Sequence, residues 1–357
     1  LTLGYNAADK MTKALVKRRK LTPSEAMLLH HRLNGTLSLN GFKHIDIVIR
    51  SIVENMDIKK KVLAEVEGQV NPKTILATNT SSLSVTEMAT SLKRPENFVG
   101  LHFFSPVNRM PLVEVIPGKK TSPETILSVV NLAKKLKKTP IVVQNWPGFL
   151  VNRILIPYVN EAVRCVMDGA SIEYVDKIAE KFGMPLGPLA LADEVGLDIG
   201  FKVSKILEEG YKERMALPAL FNDLFKHDTM KGKKSGQGFY NYSKKGKVVN
   251  QSMINIINPS HNTLSETEIQ DRLILIMINE AARCIEEVVV ENAGLLDLAM
   301  ILGTGFPPFR GGLCRYADSL GSDQLYERMD RLQQRYGRRF EVAPLIKKLK
   351  QDQLTFY

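Results

Sequence analysis

The sequence predicts an α/β unit followed by an all-α part: a doubly wound, mostly parallel sheet, then two copies of one helical unit. Three observations carry this expectation. Residues 1–145 alternate short Val- and Ile-rich runs with helical patterns, as strands covered on both faces do. After Trp146-Pro147-Gly148 the pattern turns helical. From there the segment 152–165 aligns without a gap with 271–284, at an offset of 119 residues, and Asn-Glu-Ala-Val-Arg-Cys in the first copy meets Asn-Glu-Ala-Ala-Arg-Cys in the second.

Taken in order, residues 7–20 and 22–33 read as helices. The second opens on Thr22-Pro23-Ser24-Glu25, an N-cap with an early acid, and stops at Asn34-Gly35. A short strand is expected at 36–39, then strands at 45–49, 74–78, 98–102, 112–116 and 140–143. Helices fit between them at 59–67, 85–92 and 123–136. Ligands of such a sheet bind at the carboxyl ends of its strands. Downstream of the aligned helices, Val175-Asp176 and Gly183-Met184-Pro185 are echoed by Leu296-Asp297 and Gly305-Phe306-Pro307. A period this long, occurring twice, is a duplicated domain rather than a solenoid. The expected units are 1–145, 146–249 and 262–357, and residues 250–262 read as a polar linker.

Composition removes several function classes. A chain of 357 residues holds two or three domains, and 44% hydrophobic with 24% charged residues is too apolar for disorder. No apolar run is long enough to span a bilayer. Cys165, Cys284 and Cys314 lack metal-ligand spacing and read as buried thiols of a reducing compartment. Residues 1–145 hold 22 basic against 11 acidic side chains, which accounts for the whole net charge of +11. The excess predicts that the sheet unit meets something anionic, or else it marks the solvated faces of surface helices. Its basic clusters lack interleaved aromatics, so a phosphorylated cofactor or thioester carrier fits better than nucleic acid.

Chemistry is legible at four places. His102-Phe103-Phe104-Ser105-Pro106 is followed by Glu114 in the next strand; if the strands pair, the carboxylate fixes the imidazole tautomer and makes a base able to take a proton from an alcohol, or His102 is a structural histidine at a strand end. Asn79-Thr80-Ser81-Ser82 follows a strand and offers polar groups to the crevice, or a helix N-cap. Asn152 opens the first helical copy, where the second has Asp271; it reads as a crevice residue or as another N-cap. Finally, Lys231-Gly232-Lys233-Lys234-Ser235-Gly236-Gln237-Gly238 lets ammonium and backbone groups approach phosphate, or is an exposed turn.

Together these motifs resemble the L-3-hydroxyacyl-CoA dehydrogenases. The second helical copy, with Gly305-Phe306-Pro307-Pro308-Phe309-Arg310-Gly311-Gly312, resembles the multifunctional fatty-acid oxidation proteins of the trifunctional α-subunit type. The resemblance runs over essentially the whole chain. It implies a Rossmann-type sheet and two helical C-terminal domains of that family. It implies NAD-dependent oxidation of a (3S)-3-hydroxyacyl-CoA to the 3-oxoacyl-CoA, with His102 as base, Glu114 as its orienting partner, and Ser81 and Asn152 on the substrate oxygen. NAD contacts carried over by position fall on Glu54, Lys59, Ser81, Ser105 and Lys234, and a substrate contact on Tyr316. A cytoplasmic or mitochondrial-matrix location and a thiolase partner subunit go with the family.

Three departures stand out. Ser105 replaces a frequent asparagine, Arg50 replaces a usual glutamate, and no G-x-G-x-x-G follows a strand. By the resemblance, Leu1 falls after the second strand of the sheet, so the first two strands, the phosphate loop and a preceding hydratase domain are expected upstream. The strand at 45–49 then has an unpaired edge and the strand at 36–39 has no neighbour. Two rival readings remain open: a dehydrogenase of small hydroxy acids, and a scaffolding chain that holds NAD poorly. The duplication itself predicts that helices 152–167 and 271–287 pack within one chain. Ile154, Ile156, Val159 and Val163 then face Leu273, Ile274, Ile278 and Ala282, and no homodimer forms through them.

Overall fold

The computed structural model describes residues 1–218, 220, 221 and 229–357. Helix α1 (Thr2–Lys17) runs into α2 (Pro23–His31). Helix α2 begins with the expected capping box: Thr22 Oγ1 accepts the Glu25 N–H at 3.2 Å, and Glu25 accepts the Thr22 N–H at 2.7 Å. Between Thr36 and Leu39 no strand forms, contrary to expectation. A strand needs a neighbour for its backbone groups. Here Thr36 Oγ1 takes up the Ser38 N–H and carbonyl instead, and Leu37 lies in solvent.

The sheet has five strands in the order β1 to β5: β1 (Ile47–Arg50), β2 (Ile75–Thr78), β3 (Phe98–Phe103), β4 (Leu112–Pro117) and β5 (Thr139–Val142). All pairs are parallel except β3 with β4. Helices α3 (Met56–Gln69), α4 (Val85–Ala89) and α5 (Pro123–Lys135) connect them, capped by Asn55, Ser84 and Ser122. The fully buried Val99, Leu101, Val113 and Val115 form the core of one face. Strand β1 is an edge, with Ile49 39% exposed on it, as expected of the strand at 45–49.

The helical part opens with α6 (Val151–Met167), followed by α7 (Ile172–Phe182), α8 (Pro188–Val195), α9 (Leu197–Tyr211) and a 3₁₀ turn at Lys212–Met215. A hairpin of β6 (Tyr240–Ser243) and β7 (Gly246–Val249) comes next. The segment read as a linker contains a short helix, α10 (Gln251–Ile257), because Met253 and Ile257 lie one turn apart and are buried. The second copy repeats the order: α11 (Glu266–Glu286), α12 (Ala293–Thr304), α13 (Leu313–Leu320), α14 (Ser322–Tyr336) and a 3₁₀ turn at Arg338–Phe340. Helix α15 (Pro344–Gln351) closes the fold.

The copies match in detail. Asp176 accepts the N–H groups of Leu189 and Ala190 and the Tyr240 hydroxyl; Asp297 accepts those of Cys314 and Arg315 and the Tyr357 hydroxyl. Glycine is required beside each aspartate, since a Cβ on Gly187 or Gly312 would stand 2.2 Å from it. Helices α6 and α11 pack on one another within the chain, with Ile154, Val163, Leu273, Ile274, Ile278 and Ala282 buried as expected. Ile156 departs from that stripe and packs with Val203, Leu207 and Met215. All three cysteines are buried free thiols.

Candidate active site

The antiparallel turn between β3 and β4 sets His102 directly opposite Glu114. Both are buried, Glu114 completely. A carboxylate only accepts, so His102 Nδ1–H donates to Glu114 Oε2, at 2.7 Å. In the neutral imidazole this tautomer puts the free lone pair on Nε2, as a base requires. The second carboxylate oxygen accepts the N–H groups of Leu150 and Val151 at 3.1 and 3.0 Å. These open α6, whose Leu150 N-cap has no side-chain cap of its own. Glu114 thus serves as the anion of a helix N-terminus while it orients the imidazole. Phe104 and Phe149 stand against the ring, at centroid distances of 4.5 and 6.0 Å.

A second polar group forms where β1 and β2 end. Glu54 pairs with the buried Lys59 ammonium at 2.9 Å, accepts the Ser81 N–H at 3.0 Å, and accepts the Thr80 hydroxyl. Asn152 lies inside α6 rather than capping it, and its Nδ2 donates to the Ser81 carbonyl at 3.0 Å. Asn79 accepts the Phe103 N–H at 2.9 Å, tying this segment to the strand that carries His102. The N-cap of α4 is Ser84, so the 79–82 segment is free of that duty. Asp271, the counterpart of Asn152, sits within α11 opposite Arg328.

The remaining expected residues lie in other settings. Ser105 is exposed in the β3–β4 turn, at a cis Ser105–Pro106 peptide. Lys234 pairs with Asp198 at 2.6 Å, at the start of α9. Burial pushes the Asp198 carboxyl up, but the Lys234 ammonium holds it below the usual range. Neighbouring Lys233 pairs with Glu194. Tyr316 packs edge-on to Phe182 at 5.1 Å and beneath Arg310, joining the two helical copies. Sequence reasoning missed Glu114 as a helix cap, the two phenylalanines on His102, and Asn145. The last accepts the Val85 N–H at 2.9 Å and donates to Ser84 and Thr86. Only the Phe residues flanking His102 and Gly148 carried a local signal for any of this.

The chain thus joins a mostly parallel, five-stranded sheet domain to a helical domain, with a buried histidine–carboxylate pair where the two meet. Residues 1–146 match the model of the 3-hydroxyacyl-CoA dehydrogenase NAD-binding domain, and residues 148–242 that of the 3-hydroxyacyl-CoA dehydrogenase C-terminal domain. A solved (S)-3-hydroxybutyryl-CoA dehydrogenase from Ralstonia eutropha is 40% identical; the match covers 66% of this chain and 84% of that one, with a TM-score of 0.63. A 3-hydroxybutyryl-CoA dehydrogenase from Escherichia coli is 25% identical, covering 98% of this chain and 91% of that one at a TM-score of 0.84. The chain therefore belongs to the 3-hydroxyacyl-CoA dehydrogenase family, whose members are NAD-dependent oxidoreductases. It is also 44% identical, over 99% of its length, to the fatty acid oxidation complex subunit alpha of Shewanella amazonensis. The chain spans about half the length of the curated relatives it matches.

Proposed function

We propose that the protein oxidises a (3S)-3-hydroxyacyl-CoA to the 3-oxoacyl-CoA during fatty-acid oxidation, with His102 as the base. The observation that carries this reading is the buried 2.7 Å bond from His102 Nδ1 to Glu114. It fixes the tautomer, so Nε2 takes the hydroxyl proton while the C3–H bond breaks. Glu114 then balances the imidazolium that forms. Ser81 and Asn152 polarise the developing carbonyl oxygen, a role supported by the bond that holds them together.

The residues at the ends of β1 and β2 suit the nicotinamide-ribose half of a dinucleotide. The Lys59 ammonium is 2% exposed and is held at the crevice by Glu54 and the Ile52 carbonyl, which sets a donor and an acceptor side by side. Glu54, Lys59, Ser81 and Ser105 would hold that half, with Lys234 reaching in from the helical side. When bound there, NAD⁺ supplies the acceptor for the hydride leaving C3. Tyr316 is assigned to the acyl-CoA side. The relatives named as a complex subunit alpha support assembly with another subunit, and a thiolase subunit, which the family resemblance implies, is the partner proposed.

The test is NADH formation by the full-length protein from (3S)- and (3R)-3-hydroxybutyryl-CoA. Selective oxidation of the (3S) epimer is expected. No turnover, or equal turnover of the two epimers, overturns the reading.

A further inference from the structure

The duplication supplies an internal comparison between the two ends of the α6–α11 interface. At one end a cleft of about 280 Å³ is lined by Arg164, Met167, Asp168, Arg335, Tyr336 and Arg339. Arg272 lies over the Tyr336 ring at 4.1 Å, so four guanidinium groups gather there. Arg272 and Arg339 bond Glu161 at 2.6 and 2.8 Å, Arg272 also meets Asp168 at 2.8 Å, and Arg335 meets Glu268 at 2.8 Å. Arg164 spends one Nη on the Ala216 carbonyl, and its Nε approaches Glu161 no closer than 3.9 Å. Four cations thus face three carboxylates.

At the other end the equivalent groups are Arg153, Arg283 and Arg214, facing Glu280, Glu287, Glu341 and Glu286. Carboxylates outnumber cations there, four to three. The difference arises at four positions. The offset of 119 sets Glu286 opposite Met167 and Phe149 opposite Glu268, and the pairing of Tyr211 with Tyr336 sets Gly210 opposite Arg335 and Glu341 opposite Ala216. The cleft has methionine, glutamate, arginine and alanine where the other end has glutamate, phenylalanine, glycine and glutamate. Burial lowers Arg164 from its ordinary range, Glu161 works against this, and the Arg339 and Arg272 guanidiniums lower it further.

We propose that this cleft is an anion site that takes a phosphate dianion, free or as a phosphate monoester, between the two helical copies. Guanidinium forks match phosphate oxygens, and Arg335, 62% exposed, keeps the entrance open. The ligand touches α6 of one copy and α14 with its following 3₁₀ turn of the other, so it binds only the paired arrangement and stabilises it.

The experiment is calorimetric titration of the full-length protein with inorganic phosphate, with ionic strength held constant by chloride. One saturable equivalent with Kd below about 1 mM is expected. Met167→Glu, which installs the residue of the opposite end, weakens it about tenfold or more, whereas Glu286→Met leaves it unchanged. Arg335→Ala, at an exposed position, must show the same loss and serves if Met167→Glu does not fold. Competition by adenosine 3′,5′-bisphosphate identifies a nucleotide-borne phosphate as the source, and its exclusion identifies the free ion; either result supports the site. Heat no greater than that of chloride, or binding that survives both substitutions, overturns it.

Discussion

Arg153 of α6 donates to Glu280 of α11 at 2.6 Å, and the duplication returns the contact in reverse, from Arg272 of α11 to Glu161 of α6 at the same distance. Both arginines are fully buried, so the interface that joins the copies is sealed by two ion pairs rather than by apolar packing alone. The pairing buries these faces of α6 and α11 against each other within one chain.

Breaking one pair should cost more than removing it. Arg153→Met leaves Glu280 in the interior with Arg214, at 3.5 Å, as its remaining ion pair, and is expected to destabilise by ~3–5 kcal/mol. Adding Glu280→Gln recovers part of that loss. Urea unfolding of the two variants measures it, and equal stabilities would contradict the assignment.

The in-chain pairing carries a prediction about assembly. Sedimentation should give no homodimer that forms through α6 and α11. A cross-link between Ile154 of one chain and Ile278 of another, both replaced by cysteine, would refute it.

Asp193 gives a pH dependence. Burial pushes its carboxyl up to about 6, although the Tyr240 and Phe239 N–H groups and the Tyr242 hydroxyl work against this. Its folded value lies above the ordinary ~3.9 of the unfolded chain, so between the two the folded state binds the extra proton. Its destabilising contribution is absent below about pH 4, grows as pH rises towards 6, and is complete above that, reaching about 3 kcal/mol at most. The stability difference between the protein and Asp193→Asn, followed by urea unfolding from pH 4 to 7, should shift in favour of the asparagine variant as pH rises. A difference independent of pH would show that Asp193 is not perturbed.

Glu114 has two duties that substitution separates. Glu114→Gln keeps an oxygen for the Leu150 and Val151 N–H groups but turns an amide N–H towards His102, which forces the proton onto Nε2 and removes the base. Turnover should fall ~10²–10⁴-fold with little change in Tm. Glu114→Ala loses the cap as well and should also unfold ~1–3 kcal/mol more easily. A glutamine variant with full turnover would break the link between the carboxylate and the base.

Much of this architecture is legible in the sequence, because local patterns carry it. Short Val-Ile runs mark β2 to β5, and Thr22 with Glu25 marks α2. The 119-residue offset aligns α6 with α11 before any coordinates are known. The later helices escape that register: Asp176 pairs with Asp297 at 121, and Leu189 with Cys314 at 125, as loops lengthen in the second copy. His102 and Glu114 are twelve residues apart across one turn, which brings their pairing within reach of sequence reasoning. The bond from Asn152 to Ser81 spans 71 residues and that from Val151 to Glu114 spans 37, and only tertiary structure closes them. The strand expected at 36–39 failed for the complementary reason: β propensity does not form a strand without a partner.

His102→Gln tests the central claim most directly. In steady-state oxidation of (3S)-3-hydroxybutyryl-CoA by the full-length protein with saturating NAD⁺, kcat should fall ~10²–10⁴-fold while KM changes little, because the imidazole acts on the reacting proton rather than on substrate binding. Unchanged kcat in a folded His102→Gln protein would contradict the account.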